Sequence, residues 1–190
     1  MAIPGSAVIV EGHAIVSVDG MIAAADGSMP PALRNEADWR IFQAALDAAA
    51  LVVLGRLGHT RHPNPGRRRL VLTRSVTALQ PDPDDPLTTL WNPAGMEIEA
   101  VLEQLGITAG TIAITGGTGT FDHFLPFYDR FVLSEVRALT LEDGIPCFSK
   151  GHPRFVLPGA SLEARDMEMI DRGVVQTQWV RTNKRLPQSC

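Results

Sequence analysis

The sequence predicts an α/β fold with three layers, in which helices cover both faces of a mixed, mainly parallel sheet. Continuous apolar runs at Leu51–Leu54 and Thr111–Thr115 are typical of strands buried on both faces. A stretch with helical spacing precedes each run, so helices and strands alternate. The final stretch lacks helical periodicity and is expected to close the sheet as an antiparallel hairpin, with strands at Arg154–Leu157 and Val174–Arg181.

The totals describe an ordinary globular protein, expected to form a single domain over residues 1–190. Hydrophobic residues make up 45% and charged residues 20%, and the net charge of −4 gives no reason to expect nucleic acid or a membrane as partner. Two distant cysteines and five scattered histidines show no metal-ligand spacing, so no metal is expected. Residues 1–6 do not resemble a signal peptide, and a cytoplasmic location is expected.

The N-terminal third begins with a strand and continues into a long loop. Ala7–Val10 and Ala14–Val18 are rich in Val and Ile, and we expect an irregularity at Gly12 between them. Asp19–Gly20 is a turn signal. The turn-rich segment Met21–Leu33 follows, and a long irregular loop between a strand and a helix is often functional.

A helix is predicted over Asn35–Ala50, and it carries a carboxylate in its apolar stripe. Asp38, Phe42 and Ala45 fall at helical spacing on one side. Asn35 is a good N-cap, and Asp38 three residues later could be the acidic member of a capping box. Alternatively, burial beside the core would raise the pKa of Asp38 and suit it to handling protons. The two interpretations are compatible.

The middle of the chain alternates between apolar runs and turn signals. A second buried strand is predicted at Leu70–Thr73, and a loop with three prolines at Gln80–Pro86. Helical spacing covers Met96–Leu105, and a short helical stretch ends at Leu125–Pro126. A further strand is predicted at Phe131–Val136.

Glycines and arginines follow three of the predicted strands. Gly116 and Gly117 lie between a strand and a helix, where backbone N–H groups can approach a diphosphate, although glycines there are often plain turn formers. Arg56 follows one strand, and Thr73–Arg74 ends the next. If these strands are parallel neighbours, two arginines and a hydroxyl meet at one edge, as a 2′-phosphate of NADP requires; solvated arginines are the alternative. Arg67–Arg69 could be an ordinary solvated face, although one member at the tight Pro-Gly turn is well placed to hold a carboxylate.

A set of short motifs occurs in a fixed order along the chain. In order they are Val18-Asp19-Gly20-Met21-Ile22-Ala23, Met29-Pro30, Asp38 with Phe42, Val52-Val53-Leu54-Gly55-Arg56, Pro65-Gly66-Arg67, Leu70-Val71-Leu72-Thr73-Arg74, Ile114-Thr115-Gly116-Gly117, Phe121, Phe124-Leu125-Pro126 and Phe131-Val132-Leu133-Ser134. Together they resemble the dihydrofolate reductase superfamily over roughly three quarters of the chain, and the order carries the specificity.

The resemblance implies NADPH-dependent reduction of 7,8-dihydrofolate or a related pterin. Asp38 would bind the pterin and promote protonation of its ring nitrogen, and Ser134 would hydrogen-bond that carboxylate. The segment Asp19–Pro30 would close over the nicotinamide. The remaining residues implied are Ile15, Phe42 and Thr115 in the substrate and nicotinamide pockets, Arg67 on the glutamate tail of folate, Arg56, Thr73 and Arg74 at the 2′-phosphate, and Gly116 and Gly117 at the diphosphate.

Several departures from the family pattern keep other functions open. Pro31 stands where a tryptophan usually follows Met-Pro, and Gly119 replaces a usual basic residue. Ser17–Ala23 and Asp143–Phe148 are equally similar to the reductase of bacterial riboflavin synthesis, which reduces a ribosylaminopyrimidine with NADPH. A homologue that binds the cofactor or a pterin without catalysis is a third alternative. The protein could act as a monomer or a homodimer.

Overall fold

The computed structural model describes residues 7–62 and 64–182, which form one nine-stranded sheet, a two-stranded sheet and five α-helices. The expectation about residues 1–6 and the question of order beyond Thr182 fall outside these ranges. A 3₁₀ turn covers Pro31–Leu33. The strands are β1 (Ala7–Ser17), β2 (Met21–Ala23), β3 (Leu51–Gly55), β4 (Arg69–Leu72), β5 (Leu79–Pro81), β6 (Thr88–Trp91), β7 (Ala109–Ile114), β8 (Arg130–Val136), β9 (Ile145–Pro146), β10 (Leu162–Asp171) and β11 (Val174–Arg181). The helices are α1 (Glu36–Ala48), α2 (Arg56–Arg61), α3 (Ile98–Gln104), α4 (Thr118–Phe124) and α5 (Pro153–Gly159).

The large sheet has the spatial order β10-β11-β8-β1-β7-β3-β4-β6-β5. The six strands from β8 to β6 in this order run parallel to one another. The two margins are antiparallel, with β10 and β11 forming the C-terminal hairpin and β5 pairing with β6. The predicted mixed, mainly parallel sheet closed by a C-terminal hairpin is therefore confirmed.

Two separate apolar clusters lie on the two faces of the sheet. In β3, Leu51 and Val53 belong to the larger cluster, which includes residues of α3 and α4. Val52 and Leu54 belong to the smaller one, where Leu46 of α1 packs. Successive side chains of a strand point to opposite faces, so this division places α1 opposite α3 and α4. Helices therefore cover both faces of the sheet, which gives the three layers that were predicted.

β1 runs without interruption through Gly12, so the expected irregularity there is wrong. Its residues up to Gly12 pair with β7, and those from Glu11 onward pair with β8. Gly12 is required by close packing instead. A Cβ at this position would lie 2.3 Å from the ring of Phe131 and 2.8 Å from that of Tyr128.

The hairpin is present, but its first strand is not the one predicted. Arg154–Leu157 lies within α5, where Pro153 occupies the first helical turn and the His152 ring accepts a hydrogen bond from the N–H of Arg154. β10 supplies the missing strand. Its residues are mostly exposed, which removes the apolar alternation that would have marked it.

The ends of the other predicted elements lie within one to three residues of their predicted positions. The loop assigned to Gln80–Pro86 is shortened by β5, which takes up its first two residues. The short helix α2, the strand β6 and the small sheet formed by β2 and β9 were not predicted. Among the described residues, no helix is long and apolar enough to cross a membrane.

The packing around Gly12 predicts the effect of adding a single methyl group. Gly12→Ala is expected to lower the free energy of unfolding by about 1–3 kcal/mol, because the Phe131 ring must move within a packed core. Gly159→Ala is the control, since a Cβ there meets nothing within 4 Å, and it should leave stability unchanged or raise it by up to about 1 kcal/mol. Urea unfolding measures both variants. Equal stabilities would contradict the assignment of Gly12 to close packing.

Candidate functional site

The candidate site lies on the face of the sheet that α1 covers, at the centre of the sheet. Ile15 of β1 is in register with Ser134 of β8, and Ser134 is in register with Gln176 of β11. Residues in lateral register share a face, so these three side chains form a row across the sheet. Asp38, in the first turn of α1, makes contact with this row at Ser134.

Local capping chemistry fixes where Asp38 sits. The side chain of Asn35 accepts a hydrogen bond from the N–H of Asp38 at 3.0 Å, which confirms Asn35 as the N-cap of α1. Asn35 also donates to Asp171 at 2.7 Å, so the start of α1 is tied to the end of β10. The carboxylate of Asp38 is left to point at the sheet.

Burial raises the pKa of Asp38 above its ordinary value. Ser134, as a hydrogen-bond donor beside the carboxylate, and the charge of nearby His13 lower the pKa of Asp38 by less than burial raises it. Ser134 is fully buried and accepts a hydrogen bond from the amide of Gln176 at 3.1 Å. Since Ser134 accepts from Gln176, its single proton is available to Asp38. The contact expected between Asp38 and Ser134 is present.

Two further predicted pocket residues, Phe42 and Thr115, lie on α1 and directly after β7. Phe42, one turn along α1 from Asp38, and Ile15 are both half-buried. Thr115 follows β7 directly, and both its N–H and its hydroxyl donate to the carbonyl of Val53, at 2.9 and 3.3 Å. Because Ile114 pairs with Gly12, Thr115 lies at the level of His13 on the neighbouring strand. The structure thus brings these residues together around one end of β1.

Sequence reasoning missed the histidine of this site. His13 is only 6% exposed, its Nε2 lies 3.0 Å from Oε1 of Glu11, and its ring centroid lies 5.9 Å from that of Phe42. The other oxygen of Glu11, Oε2, lies 2.9 Å from Nε of Arg130. The alternation Glu11-x-His13-x-Ile15 on one strand was the signal available, because it puts all three side chains on the same face.

The glycines and arginines predicted at a cofactor edge follow neighbouring parallel strands. β7, β3 and β4 are parallel neighbours, and the N–H of Gly55 donates to the carbonyl of Gly116 at 2.9 Å. Gly55 of β3 is in register with Leu72 of β4. The next residues of the two strands, Arg56 and Thr73, are therefore neighbours, and Arg74 follows Thr73. Arg56 and Arg74 are exposed, while Thr73 is 8% exposed and its hydroxyl lies 3.0 Å from that of Ser75.

Gly116 and Gly117, the residues predicted to approach a diphosphate, differ in their surroundings. Gly116 has a φ of +104°, which residues with a side chain rarely adopt. A Cβ at this position would lie 2.8 Å from the Phe121 ring. Gly117 is exposed, and a Cβ there would meet nothing within 4 Å, so the backbone is open to a ligand. Gly116 is needed for the fold, while only Gly117 leaves room at the surface.

Arg67 is held by three neighbours. Its Nη2 lies 2.6 Å from Oδ1 of Asp47 and 2.9 Å from Oε1 of Gln43, both on α1, and its Nη1 lies 3.2 Å from Oδ1 of Asn64. A carboxylate arriving at Arg67 must therefore compete with Asp47, whose side chain is 69% exposed. The guanidinium is oriented, but its donors are already engaged.

The segment Asp19–Pro30 is held at several places, one of which is the pairing of β2 with β9. The carboxylate of Asp19 accepts hydrogen bonds from the hydroxyl of Ser17 and the N–H of Leu141. Near the tip, the guanidinium of Arg61, at the end of α2, donates to the carbonyls of Asp26 and Gly27. The loop is thus linked to the helix that begins at Arg56.

Solved structures that are similar to this chain along most of its length include the following three. A protein of Shewanella sp. PV-4 described as a riboflavin biosynthesis protein is 21% identical, with a TM-score of 0.63, over 93% of this chain and 99% of its own. A diaminohydroxyphosphoribosylaminopyrimidine deaminase/5-amino-6-(5-phosphoribosylamino)uracil reductase of Thermotoga maritima is 15% identical, with a TM-score of 0.68, over 92% of this chain. The chain spans 56% of the length of that protein.

The third is dihydrofolate reductase from Enterococcus faecalis, solved with NADP(H). It is 18% identical, with a TM-score of 0.61, over 92% of this chain and 97% of its own. No protein-family model and no curated protein sequence matches the chain significantly. At these identities the likeness establishes the fold, and the predicted dihydrofolate-reductase-like fold is confirmed.

The raised pKa of Asp38 predicts a pH-dependent effect on stability. The folded protein holds the proton more tightly than the unfolded chain does, so keeping the ionised carboxylate costs free energy once the pH exceeds the folded pKa. Asp38→Asn is therefore expected to raise the free energy of unfolding at pH 7. The gain should fade as the pH falls through the folded pKa toward the ordinary value near 3.8.

Urea unfolding of wild type and Asp38→Asn at several pH values measures this gain. Glu36→Gln is the matched control, because Glu36 is an exposed acid in the same helical turn. A loss of stability in Asp38→Asn at pH 7, or a gain that does not vary with pH, would contradict the inferred burial of the charge.

Proposed function

We propose that the protein is an NADPH-dependent reductase whose substrate is 7,8-dihydrofolate or a related pterin. The observation that carries this proposal is the half-buried carboxylate of Asp38 over the row formed by Ile15, Ser134 and Gln176. A carboxylate in a confined apolar site suits a heterocycle that presents adjacent N–H donors. The dihydrofolate-reductase-like fold agrees with this chemistry.

The neighbouring sheet edge supports a dinucleotide cofactor. Gly117 offers open backbone for the diphosphate, while Arg56, Thr73 and Arg74 are the groups proposed for the 2′-phosphate. Thr115 lies between this edge and the substrate row, at the level of His13. Bound NADPH would supply a hydride. The dihydrofolate reductase of Enterococcus faecalis was solved with this cofactor.

The reaction proposed is reduction of a C=N bond. The carbon gains a hydride and the nitrogen gains a proton, so the bond becomes C–N with one hydrogen on each atom. Asp38 orients the heterocycle and favours the protonated nitrogen, and its raised pKa keeps a proton at the site at higher pH than an exposed aspartate would. Phe42 and Ile15 line the pocket and help to exclude water.

A reductase of the riboflavin-pathway type is the second candidate. The observation that favours it is the engagement of Arg67 with Asp47, Gln43 and Asn64, because the glutamate tail of folate would have to displace these partners from Arg67. Similar solved structures include the riboflavin biosynthesis protein of Shewanella sp. PV-4 and the aminopyrimidine deaminase/aminouracil reductase of Thermotoga maritima. Loss of NADPH absorbance, measured side by side with dihydrofolate and with the ribosylaminopyrimidine, distinguishes the two substrates.

The first activity prediction concerns Asp38. Asp38→Asn is expected to lower kcat/KM by at least about 100-fold near neutral pH, because an amide cannot hold or release the proton. Glu36→Gln, which neutralises an exposed acid of the same turn, should retain the wild-type value. Full activity of Asp38→Asn on whichever substrate the wild type reduces would remove the proposed role of the carboxylate.

The second prediction concerns the choice of cofactor. Arg56→Ala and Arg74→Ala are each expected to raise the Kd for NADPH by about tenfold, since a charge-assisted hydrogen bond to the 2′-phosphate is lost. The Kd for NADH should change little. Arg165→Ala is the control, because Arg165 is an exposed arginine paired with Glu163 on β10. Titration calorimetry measures these constants, and equal losses for NADPH and NADH would contradict the assignment.

A further inference from the structure

The tip of the C-terminal hairpin carries a carboxylate whose place is well defined. Asp171 ends β10, and Arg172 and Gly173 form the turn that leads into β11. Gly173 has a φ of +76°, a conformation that glycine adopts readily. Oδ1 of Asp171 accepts the N–H of Arg172 at 2.7 Å, and the carbonyl of Gly173 accepts the N–H of Arg137, directly after β8, at 2.9 Å. These bonds hold the tip against the sheet.

The second oxygen of Asp171 binds the start of α1. Oδ2 accepts a hydrogen bond from Nδ2 of Asn35 at 2.7 Å, and Oδ1 of the same amide accepts the N–H of Asp38 at 3.0 Å. An ionised carboxylate can only accept, so Asp171 takes the amide's donor end and leaves its oxygen for Asp38. The hydrogen bond from Asn35 also lowers the pKa of Asp171, which keeps the carboxylate ionised.

Capping of the helix does not explain the bond to Asp171. An N-cap needs only a side-chain oxygen that accepts from the first turn, and Asn35 provides that oxygen without help. The hairpin also reaches Asp38 on its other side, because Gln176 of β11 donates to Ser134 at 3.1 Å and Ser134 lies beside the Asp38 carboxylate. Residues of the hairpin thus support both the N–H and the carboxylate of Asp38, each through one intermediate residue.

We propose that Asp171 is a positioning residue of the active site, which holds the first turn of α1 through Asn35 and so keeps the Asp38 carboxylate in its place. This proposal rests on the proposed function, in which Asp38 meets the substrate. Asp171 is exposed at the hairpin tip and acts only through Asn35. The other charged group near it is Arg40 of α1, so a test must separate the hydrogen bond from the charge.

Two substitutions of Asp171 make this separation. Asp171→Ala removes both the charge and the acceptor, whereas Asp171→Asn removes the charge and keeps an oxygen for Asn35. Asp171→Ala is expected to lower kcat/KM about fivefold, the factor that corresponds to one lost hydrogen bond, and Asp171→Asn should stay near the wild-type value. The Kd for NADPH should not change, because the cofactor edge belongs to β7, β3 and β4. Equal losses in the two variants, or a parallel loss of NADPH binding, would overturn the proposal.

An exchange of the two partners tests the hydrogen bond itself. Asn35→Asp keeps an oxygen to cap α1, but it sets two carboxylates against each other, and kcat/KM should fall as in Asp171→Ala. Combining Asn35→Asp with Asp171→Asn reverses the donor and the acceptor, so kcat/KM should return toward the wild-type value. Full activity of Asn35→Asp alone, or no recovery in the double variant, would overturn the proposal.

Hydrogen exchange measured by NMR tests the same link without an assay of activity. The N–H of Asp38 is expected to exchange about fivefold faster in Asp171→Ala, because the amide of Asn35 is no longer oriented. Glu163→Ala is the control, since it removes an exposed carboxylate paired with Arg165 at the other end of β10, and it should leave this rate unchanged. An unchanged rate in Asp171→Ala would overturn the proposal. If Asp171→Ala does not fold, the double variant decides.

Failure of the proposed function would give a different result. In that case the wild type would reduce neither substrate, and the exchange rates of Asp38 would still decide whether Asp171 holds it in place. A wild type that is active, with Asp171→Ala unchanged in both kcat/KM and the exchange rate, would refute the role of Asp171 alone.

Discussion

The interaction between Ser134 and Asp38 links the first turn of α1 to β8. Ser134 is fully buried and Gln176 nearly so, and leaving either polar group unpaired would cost about 1–3 kcal/mol. Their bonds are satisfied together only when β8, β11 and α1 are all aligned. The alignment of the C-terminal hairpin, the placement of the helix and the position of the carboxylate are thus parts of one arrangement.

Local patterns were sufficient for much of the fold. The strands β3 and β7 are continuous apolar runs that occupy the middle of a parallel sheet, and α1 has a strong N-cap in Asn35. The first strand of the hairpin could not be found in this way. β10 is a margin strand with charged and methionine residues exposed to solvent, whereas α5 contains an apolar run that resembles a short strand.

The residues of the candidate site also differ in whether local sequence patterns reveal them. Asp38 and the glycines after β7 could be predicted because they stand beside a helix start and a strand end. Gln176 could not, since its importance depends on the lateral register of strands far apart in sequence. His13 was marked only by its alternation with Glu11 and Ile15 along one strand. The resemblance to a known family supplied Ser134, but it offered no reason to examine position 13. A residue's neighbours across a sheet are set by topology, which a single sequence does not state directly.

The central position of β1 also governs the order in which the molecule can assemble. Ala7 pairs with Ala109 and Ile15 with Ser134, so both partners of the first strand are synthesised more than 100 residues after it. During translation β1 has no partner strand until most of the chain has emerged from the ribosome. Contacts this distant slow folding, and they leave an apolar strand open to association with other chains in the meantime. A protein built in this way benefits from chaperone protection of its N-terminal segment while it is being made.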